Sequence, residues 1–249
     1  SMWWRVGVLI ALVIGFSVLI GMSVSAYRDA PPVPEQVVTA DGRVIFTGDD
    51  IRAGQAVFLK YGLMENGTIW GHGAYLGPDF SAEYLHVLGL HAATALSTQL
   101  YGKAPEALTD METADVNAQV AALLKQNRYD AASETLTFTD EEEISFTKQQ
   151  DTWTQYFSTP GNNAGLQAAV LRDREEVRQL TSFFAWAAWA SVANRPGHDY
   201  SYTNNWPSEP MAANTPTAEA ILWSALSLIT LLGGTGLMFF VVGRWDLLG

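Results

Sequence analysis

The sequence predicts a mainly α membrane protein in which two transmembrane helices flank a mostly helical outer domain with a small β-hairpin. Three observations carry this. Val6 to Ala26 is a run of 21 residues without a charge, and Ala220 to Val242 is a second of 23. At 1.5 Å of rise per residue, either crosses a hydrocarbon core about 30 Å thick. Residues 30–215 between them hold 23 of the 26 acidic and 11 of the 14 basic residues, so the water-facing surface is there.

The first run is bracketed by Trp3, Trp4 and Tyr27 and the second by Trp223 and Trp245, the placement aromatics prefer at a membrane interface. A cleaved signal peptide needs a small-residue cleavage site. Tyr27-Arg28-Asp29 stands there instead, so an uncleaved span is expected. Arg5 precedes the first span and Arg244 follows the second, which by the positive-inside rule puts both termini in the cytoplasm. The expected divisions are a first span at 1–29, an extracytoplasmic domain at 30–215 and a second span at 216–249.

Within the outer domain, Ala30-Pro31-Pro32-Val33-Pro34 reads as a stiff linker. Val37-Val38-Thr39 and Arg43 to Phe46, joined through Asp41-Gly42, read as the hairpin. Thr47 to Asp50 caps a helix expected over Ile51 to Leu63. Gly67, Gly71, Gly73 and Gly77-Pro78-Asp79 predict irregular backbone. Helices are expected at Ala82–Tyr101, Val116–Gln126, Asp140–Phe157 and Asp173–Ala193, with a short strand at Thr135–Thr139 where Leu136 and Phe138 alternate with Thr. The acidic run Asp140 to Glu143 suits a helix N-terminus. Ser158 to Asn163 reads as a loop and Tyr200 to Pro216 as an extended, proline-rich lead into the second span.

Composition removes several function classes. The 249 residues include no Cys, which excludes covalent haem c, thiolate metal sites, disulfides and Cys nucleophiles. A formal charge of −12 opposes phosphate backbones, so nucleic acid is not an expected partner, whereas membrane lipid is. His86 and His91 are five apart rather than four, and no H-E-x-x-H, P-loop, nucleophile elbow or dinucleotide fingerprint occurs, so a two-His metal site is not expected. Neither span carries His, Asp, Glu, Lys or Arg between Val6 and Ala26 or between Ile221 and Val242. Haem ligation and proton transfer inside the membrane therefore cannot come from these two helices alone. Glu219, at the mouth of the second span, reads as a solvated interfacial carboxylate. The stretch Gly67 to Asp79 lets backbone carbonyls approach a cation, and Tyr75 adds a phenol oxygen. Such hard donors suit Ca²⁺, although a purely structural Gly-rich loop is the commoner outcome.

At this loop the chain resembles a known family. Gly71-His72-Gly73-Ala74-Tyr75 followed by Pro78 is similar to the haem segment of the cytochrome c subunit of bacterial nitric oxide reductase, where a C-x-x-C-H directly precedes it. Here Leu63 and Asn66 stand where the two Cys would be, and Gly67 where the axial His would be. A haemless cytochrome-c-like domain between two spans resembles the N-terminal region of quinol-dependent nitric oxide reductase. Asn204-Asn205-Trp206-Pro207, Glu209-Pro210 and Asn214 to Thr217 strengthen the match, which covers essentially the whole chain.

The resemblance implies the following. The enzyme joins two NO into N₂O and water with two electrons and two protons, drawing electrons from a membrane quinol. Haem b, haem b₃ and a non-haem iron lie in a catalytic transmembrane bundle outside these residues, so no catalytic residue and no cofactor of its own is expected in this chain. Gly73 and Tyr75 are expected metal ligands, through a carbonyl and a phenol, to a Ca²⁺ shared with the catalytic part, which supplies a carboxylate. The outer domain then caps that bundle, in the bacterial inner membrane, either within one longer chain or as a small polypeptide next to a separate catalytic one. A nitric oxide dismutase, yielding N₂ and O₂, resembles this region equally. A non-enzymatic two-span sensor is the alternative from another class, and only Arg244 to Gly249 follows the second span as an output segment. A membrane-anchored electron carrier is opposed by the missing Cys and by Gly67.

Overall fold

The computed structural model describes residues 2–159, 161, 163–167 and 169–245. Pro160 and Asn162 of the expected loop and the tail after Trp245 lie outside the described residues. The chain divides into two compact units, Ser1–Val33 and Pro34–Gly249.

The first unit is built on α1 (Met2–Arg28), which closes with a basic Arg28 in its last turn. Its described apolar side chains, Leu9, Ile14, Leu19 and Met22 among them, are all exposed. The second unit ends in α7 (Ala218–Trp245), in which no residue is buried. Both helices are long and apolar enough to cross a membrane. Uncovered apolar surface of this extent is far beyond what a water-soluble monomer tolerates, and lipid is the solvent that suits it. The sequence-based spans sit inside both helices.

Between Pro34 and α7 the chain forms a helical domain with two small sheets. Strand β1 (Gln36–Val38) pairs antiparallel with β2 (Val44–Thr47), placing Val37 opposite Phe46. The expected strand near Thr135 is β6 (Thr135–Thr137), which joins β1 in parallel with Leu136 opposite Val37. A further two-residue strand, β5 (Tyr129–Asp130), completes the order β2-β1-β6-β5. Two residues cannot display an alternation, so β5 left no pattern to read. Val37, Phe46 and Leu136 all face inward and are buried.

The helices start where the sequence places oxygen side chains. Thr47, Thr109 and Thr139 each close a reciprocal capping box, with Asp50, Glu112 and Glu142, at the starts of α2 (Gly48–Lys60), α4 (Asp110–Lys125) and α5 (Asp140–Ser158). Asp79 and Asp173 cap α3 (Phe80–Tyr101) and α6 (Arg174–Val192). Each such cap is worth about 1 kcal/mol. Helix α4 begins six residues before the expected Val116, because its polar first turn lies outside the apolar stripe that marked it. Helix α2 stops at Lys60 rather than Leu63. Gly62 turns the chain at φ +60°, and Leu63 opens a 3₁₀ turn, Leu63–Glu65, with its side chain in the core.

Helices α2, α3, α5 and α6 pack around one aromatic core. Phe80 stacks on Phe184 at 4.8 Å between centroids, and Trp153 meets both rings, at 5.6 Å and 5.1 Å. Phe58 brings α2 against the same cluster, 5.9 Å from Phe80. Aromatic pairs in this range add about 0.5–1.5 kcal/mol each beyond their burial. Helix α6 is buried nearly all round from Leu180 to Val192, which makes it the central helix. The segment Tyr200 to Pro216 is turned back on itself rather than extended. Isolated bridges join Asn194 to Ser201 and Glu209 to Asn214, and the buried Asn214 amide donates to the carbonyls of Ser191 and Pro207.

Candidate functional site

The Gly67–Asp79 stretch is not irregular throughout. It contains a two-strand hairpin, β3 (Thr68–Ile69) with β4 (His72–Gly73), pairing Thr68 with Gly73 and Ile69 with His72. Trp70 and Gly71 form the turn with φ +53° and +79°. Two positive φ angles in a two-residue loop match the right-handed twist of a hairpin, as in a type I′ turn. Glycine is at home there, but a tryptophan is strained, and such strain persists only where the surroundings over-determine it. They do so here. The Trp70 indole N–H donates to the carbonyl of Ala187 at 2.8 Å, its backbone N–H donates to Ser81 Oγ at 3.1 Å, and its ring lies 5.5 Å from that of Trp186.

Asp79 ties the hairpin to the start of α3. Its Oδ2 accepts from the Thr68 hydroxyl at 2.7 Å and the Gly71 N–H at 2.6 Å, and its Oδ1 accepts from Ala82 N–H at 2.9 Å and the Ser81 hydroxyl. A carboxylate engaged by four donors is not free to bind anything else. Asn66, just before β3, donates to the carbonyls of Asn163 and Ala164 and accepts from the Tyr156 hydroxyl at 3.1 Å.

Of the expected ligand positions, one ends this hairpin and the other lies two residues past it. Gly73 ends β4 and is exposed. Tyr75 is 83% exposed, and its hydroxyl donates to the Gly71 carbonyl at 3.0 Å. Two hard, neutral oxygens, the Tyr75 hydroxyl and the Gly71 carbonyl, therefore meet at an exposed spot, and oxygens of that kind are what Ca²⁺ takes. The fit is good in kind and short in charge: among the described residues no group of three or more His, Asp or Glu is placed to hold a metal. A carboxylate would have to come from outside.

The three positions corresponding to the haem-attachment motif are closed. Leu63 is fully buried and Asn66 nearly so. A Cβ on Gly67 would collide with the Pro78 carbonyl and lie 2.7 Å from Phe80 Cε2, so no side chain fits there, least of all an imidazole. Phe80, Trp153, Phe157 and Phe184 occupy the core beneath.

The four histidines do not converge. His72 is exposed on β4. His86 Nδ1 lies 3.2 Å from Glu209 Oε2, which holds the segment before α7 against α3. His91 Nδ1 lies 3.0 Å from Ser145 Oγ between α3 and α5, and burial holds its pKa down, with Lys148 adding to the effect. His198 packs on Tyr200 at 4.7 Å. Glu219 lies in the first turn of α7, and Glu142 is more than a dipole partner. It is buried and paired with Arg128 at 2.6 Å. Burial pushes its carboxyl up, against the pull of Arg128.

Beside the hairpin a groove of about 550 Å³ is lined by Trp70, His72, Thr203, Trp206 and Pro216 together with Ile221 of α7. Trp206 reaches across it, and its indole N–H donates to the Trp70 carbonyl at 3.1 Å. Sequence reasoning missed this contact, since nothing in the spacing of residues 70 and 206 announces it.

No curated protein matches the chain. A family model does, the NorB cytochrome c-like domain of nitric oxide reductase, over residues 34–208. That span starts with the second compact unit, takes in the hairpin, the closed haem positions and Trp206, and stops ten residues before α7. This chain belongs to the NorB cytochrome c-like domain family of nitric oxide reductase, flanked by two helices suited to a membrane.

Proposed function

We propose that this domain is a haemless cap over the outer face of the catalytic bundle of a quinol-dependent nitric oxide reductase. The bundle carries haem b, haem b₃ and the non-haem iron, and this chain contributes neither electrons nor metal ligands to the reaction at those centres. The observation that carries the reading is the packing of Gly67 beneath Phe80 in a domain of the nitric oxide reductase family. A domain that has filled its haem seat with aromatic rings keeps the shape of an electron carrier without the means to be one. The arginines outside the two apolar runs support a periplasmic domain with both termini in the cytoplasm, in a bacterial inner membrane.

In this reading Gly73 and Tyr75 hold a Ca²⁺ at the seam with the bundle, with a carboxylate supplied by the bundle. A Ca²⁺ held by those two residues would supply positive charge at that seam. The chain's own part is positional: the hairpin presents neutral oxygens, and the apolar side chains exposed around it, Met64, Leu76 and Trp206, exclude water on docking.

The test uses the complete enzyme that contains this chain. Purified in detergent, it is expected to contain b-type haem only and to reduce NO to N₂O with a quinol as donor. A c-type haemochrome spectrum traced to this chain overturns the reading. Release of N₂ and O₂ from NO would assign the region to a dismutase instead.

A further inference from the structure

We infer that the groove between the Trp70 hairpin and the start of α7 receives the ring of the membrane quinol, a flat, uncharged headgroup with two hydroxyls and an apolar tail. The inference rests on the quinol dependence proposed above and goes beyond it, because it gives this chain, and not the bundle alone, a part in holding the donor.

The groove, about 550 Å³, has the size of a small-molecule site, and its walls are fixed before any ligand arrives. Trp70 is held by Ala187 and Ser81. Trp206 is held three ways: its indole donates to the Trp70 carbonyl, its backbone N–H donates to the Thr203 carbonyl at 3.2 Å, and its own carbonyl accepts from the Thr203 hydroxyl at 2.5 Å. The α7 side is tied to the same turn. Thr217 N–H donates to the Asn204 carbonyl at 3.2 Å, and the Thr217 hydroxyl accepts from Ala220 N–H at 3.2 Å. Preformed indole walls favour a flat ring, which meets them without the cost of ordering side chains.

The lining has the chemistry of a neutral headgroup. Among the described residues that line it, none is Lys, Arg, Asp or Glu. A lipid phosphate is normally met by a cation, so a phospholipid headgroup is disfavoured. His72 and Ser224 supply neutral polar groups, and among the described residues neither side chain has a hydrogen-bond partner. Hydroxyls on other helices of this fold are occupied: Thr181 and Ser182 donate to the carbonyls four residues back, at 2.7 Å and 3.0 Å. An imidazole and a hydroxyl left open on one groove suit a ligand that carries hydroxyls. Pro216, Ala220 and Ile221 form the apolar side, and Ala220 and Ile221 belong to the start of α7, whose exposed apolar side chains run on into lipid. A ring seated here can therefore keep its tail in hydrocarbon.

The test uses the complete enzyme in detergent, with decylbenzoquinol as donor and an azido-substituted decylbenzoquinone as photoprobe. Label is expected on peptides holding residues 70–72, 203–206 or 220–224, and excess decylbenzoquinol should block it where excess phosphatidylethanolamine does not. Ser224→Leu fills the groove from α7 without touching the domain core and is expected to raise KM for the quinol about ten-fold. His72→Leu removes one neutral hydrogen bond and should raise it about five-fold, which keeps the test open if Ser224→Leu fails to accumulate. Both should keep a thermal midpoint close to wild type. Label confined to other segments, an unchanged KM in both variants, or a fall in kcat alone overturns the inference, and leaves the proposed function standing if the wild type turns over with quinol. Equal protection by the phospholipid also overturns it and assigns the groove to lipid. A wild-type enzyme that takes no electrons from quinol overturns the quinol reading and the inference together.

Discussion

Gly67 lies directly under the ring of Phe80, so close that a methyl group at position 67 would be 2.7 Å from Phe80 Cε2. Gly67→His, even with Cys introduced at 63 and 66, is expected to bind no covalent haem. It should destabilise the domain by roughly 3 kcal/mol, the upper range for overpacking, because the adjacent Pro78 backbone cannot yield as a side chain could. Haemochrome spectroscopy and denaturant titration of the detergent-solubilised chain check both parts.

Asn66 occupies the other half of that vanished motif with a structural task. Its amide bridges the start of β3 to the carbonyls of Asn163 and Ala164 and to the Tyr156 hydroxyl. Asn66→Ala removes these hydrogen bonds at a buried site, with the Asn163 carbonyl keeping only the Leu166 N–H, and is expected to cost about 2 kcal/mol. Amide exchange should show the loss concentrated at the 163–165 turn and the end of α5.

Arg128 and Glu142 form a buried pair, and the Arg128 guanidinium also donates to the carbonyls of Thr137 and Leu123. Arg128→Met strands a buried carboxylate and should cost about 3–5 kcal/mol at neutral pH. Burial raises the folded-state pKa of Glu142 above its ordinary value of 4.5. A raised carboxyl favours the native state below the unfolded value, and that contribution is lost as the pH rises through the folded one. The deficit of Arg128→Met should therefore shrink as the pH is lowered from 8 towards 5. The double variant Arg128→Met/Glu142→Met should be more stable than Arg128→Met, which a double-mutant cycle measures.

Glu112 titrates the other way. A hydrogen bond from Lys103, then those from Thr109, hold its carboxyl down at about 2. Its folded-state pKa is depressed, so its support for the first turn of α4 is complete above the unfolded value of 4.5 and disappears as the pH falls through about 2. The group is half-buried at the surface, so the effect is local. The protection of amides 110–113, measured relative to their intrinsic exchange rates, should fall over that window in the wild type. In Glu112→Ala it should be lower throughout and flat with pH.

Charge, cap chemistry and a missing residue type were enough to show which segments are apolar enough for lipid, that Thr47 to Asp50 opens a helix and that no haem can be covalently attached. A short motif also led to the loop at Gly71 to Tyr75. The hairpin inside that loop was out of reach, since a tryptophan at φ +53° contradicts every local preference. Ala187, Ser81 and Trp186, brought in from two other helices, help to hold that conformation. The parallel pairing of β6 with β1 and the contact of Trp206 with Trp70 were hidden for the same reason. Local patterns record what a residue does with its neighbours in the chain. Contacts across a hundred residues or more are set by how the helices pack around Phe80 and Phe184, and only the folded domain decides them.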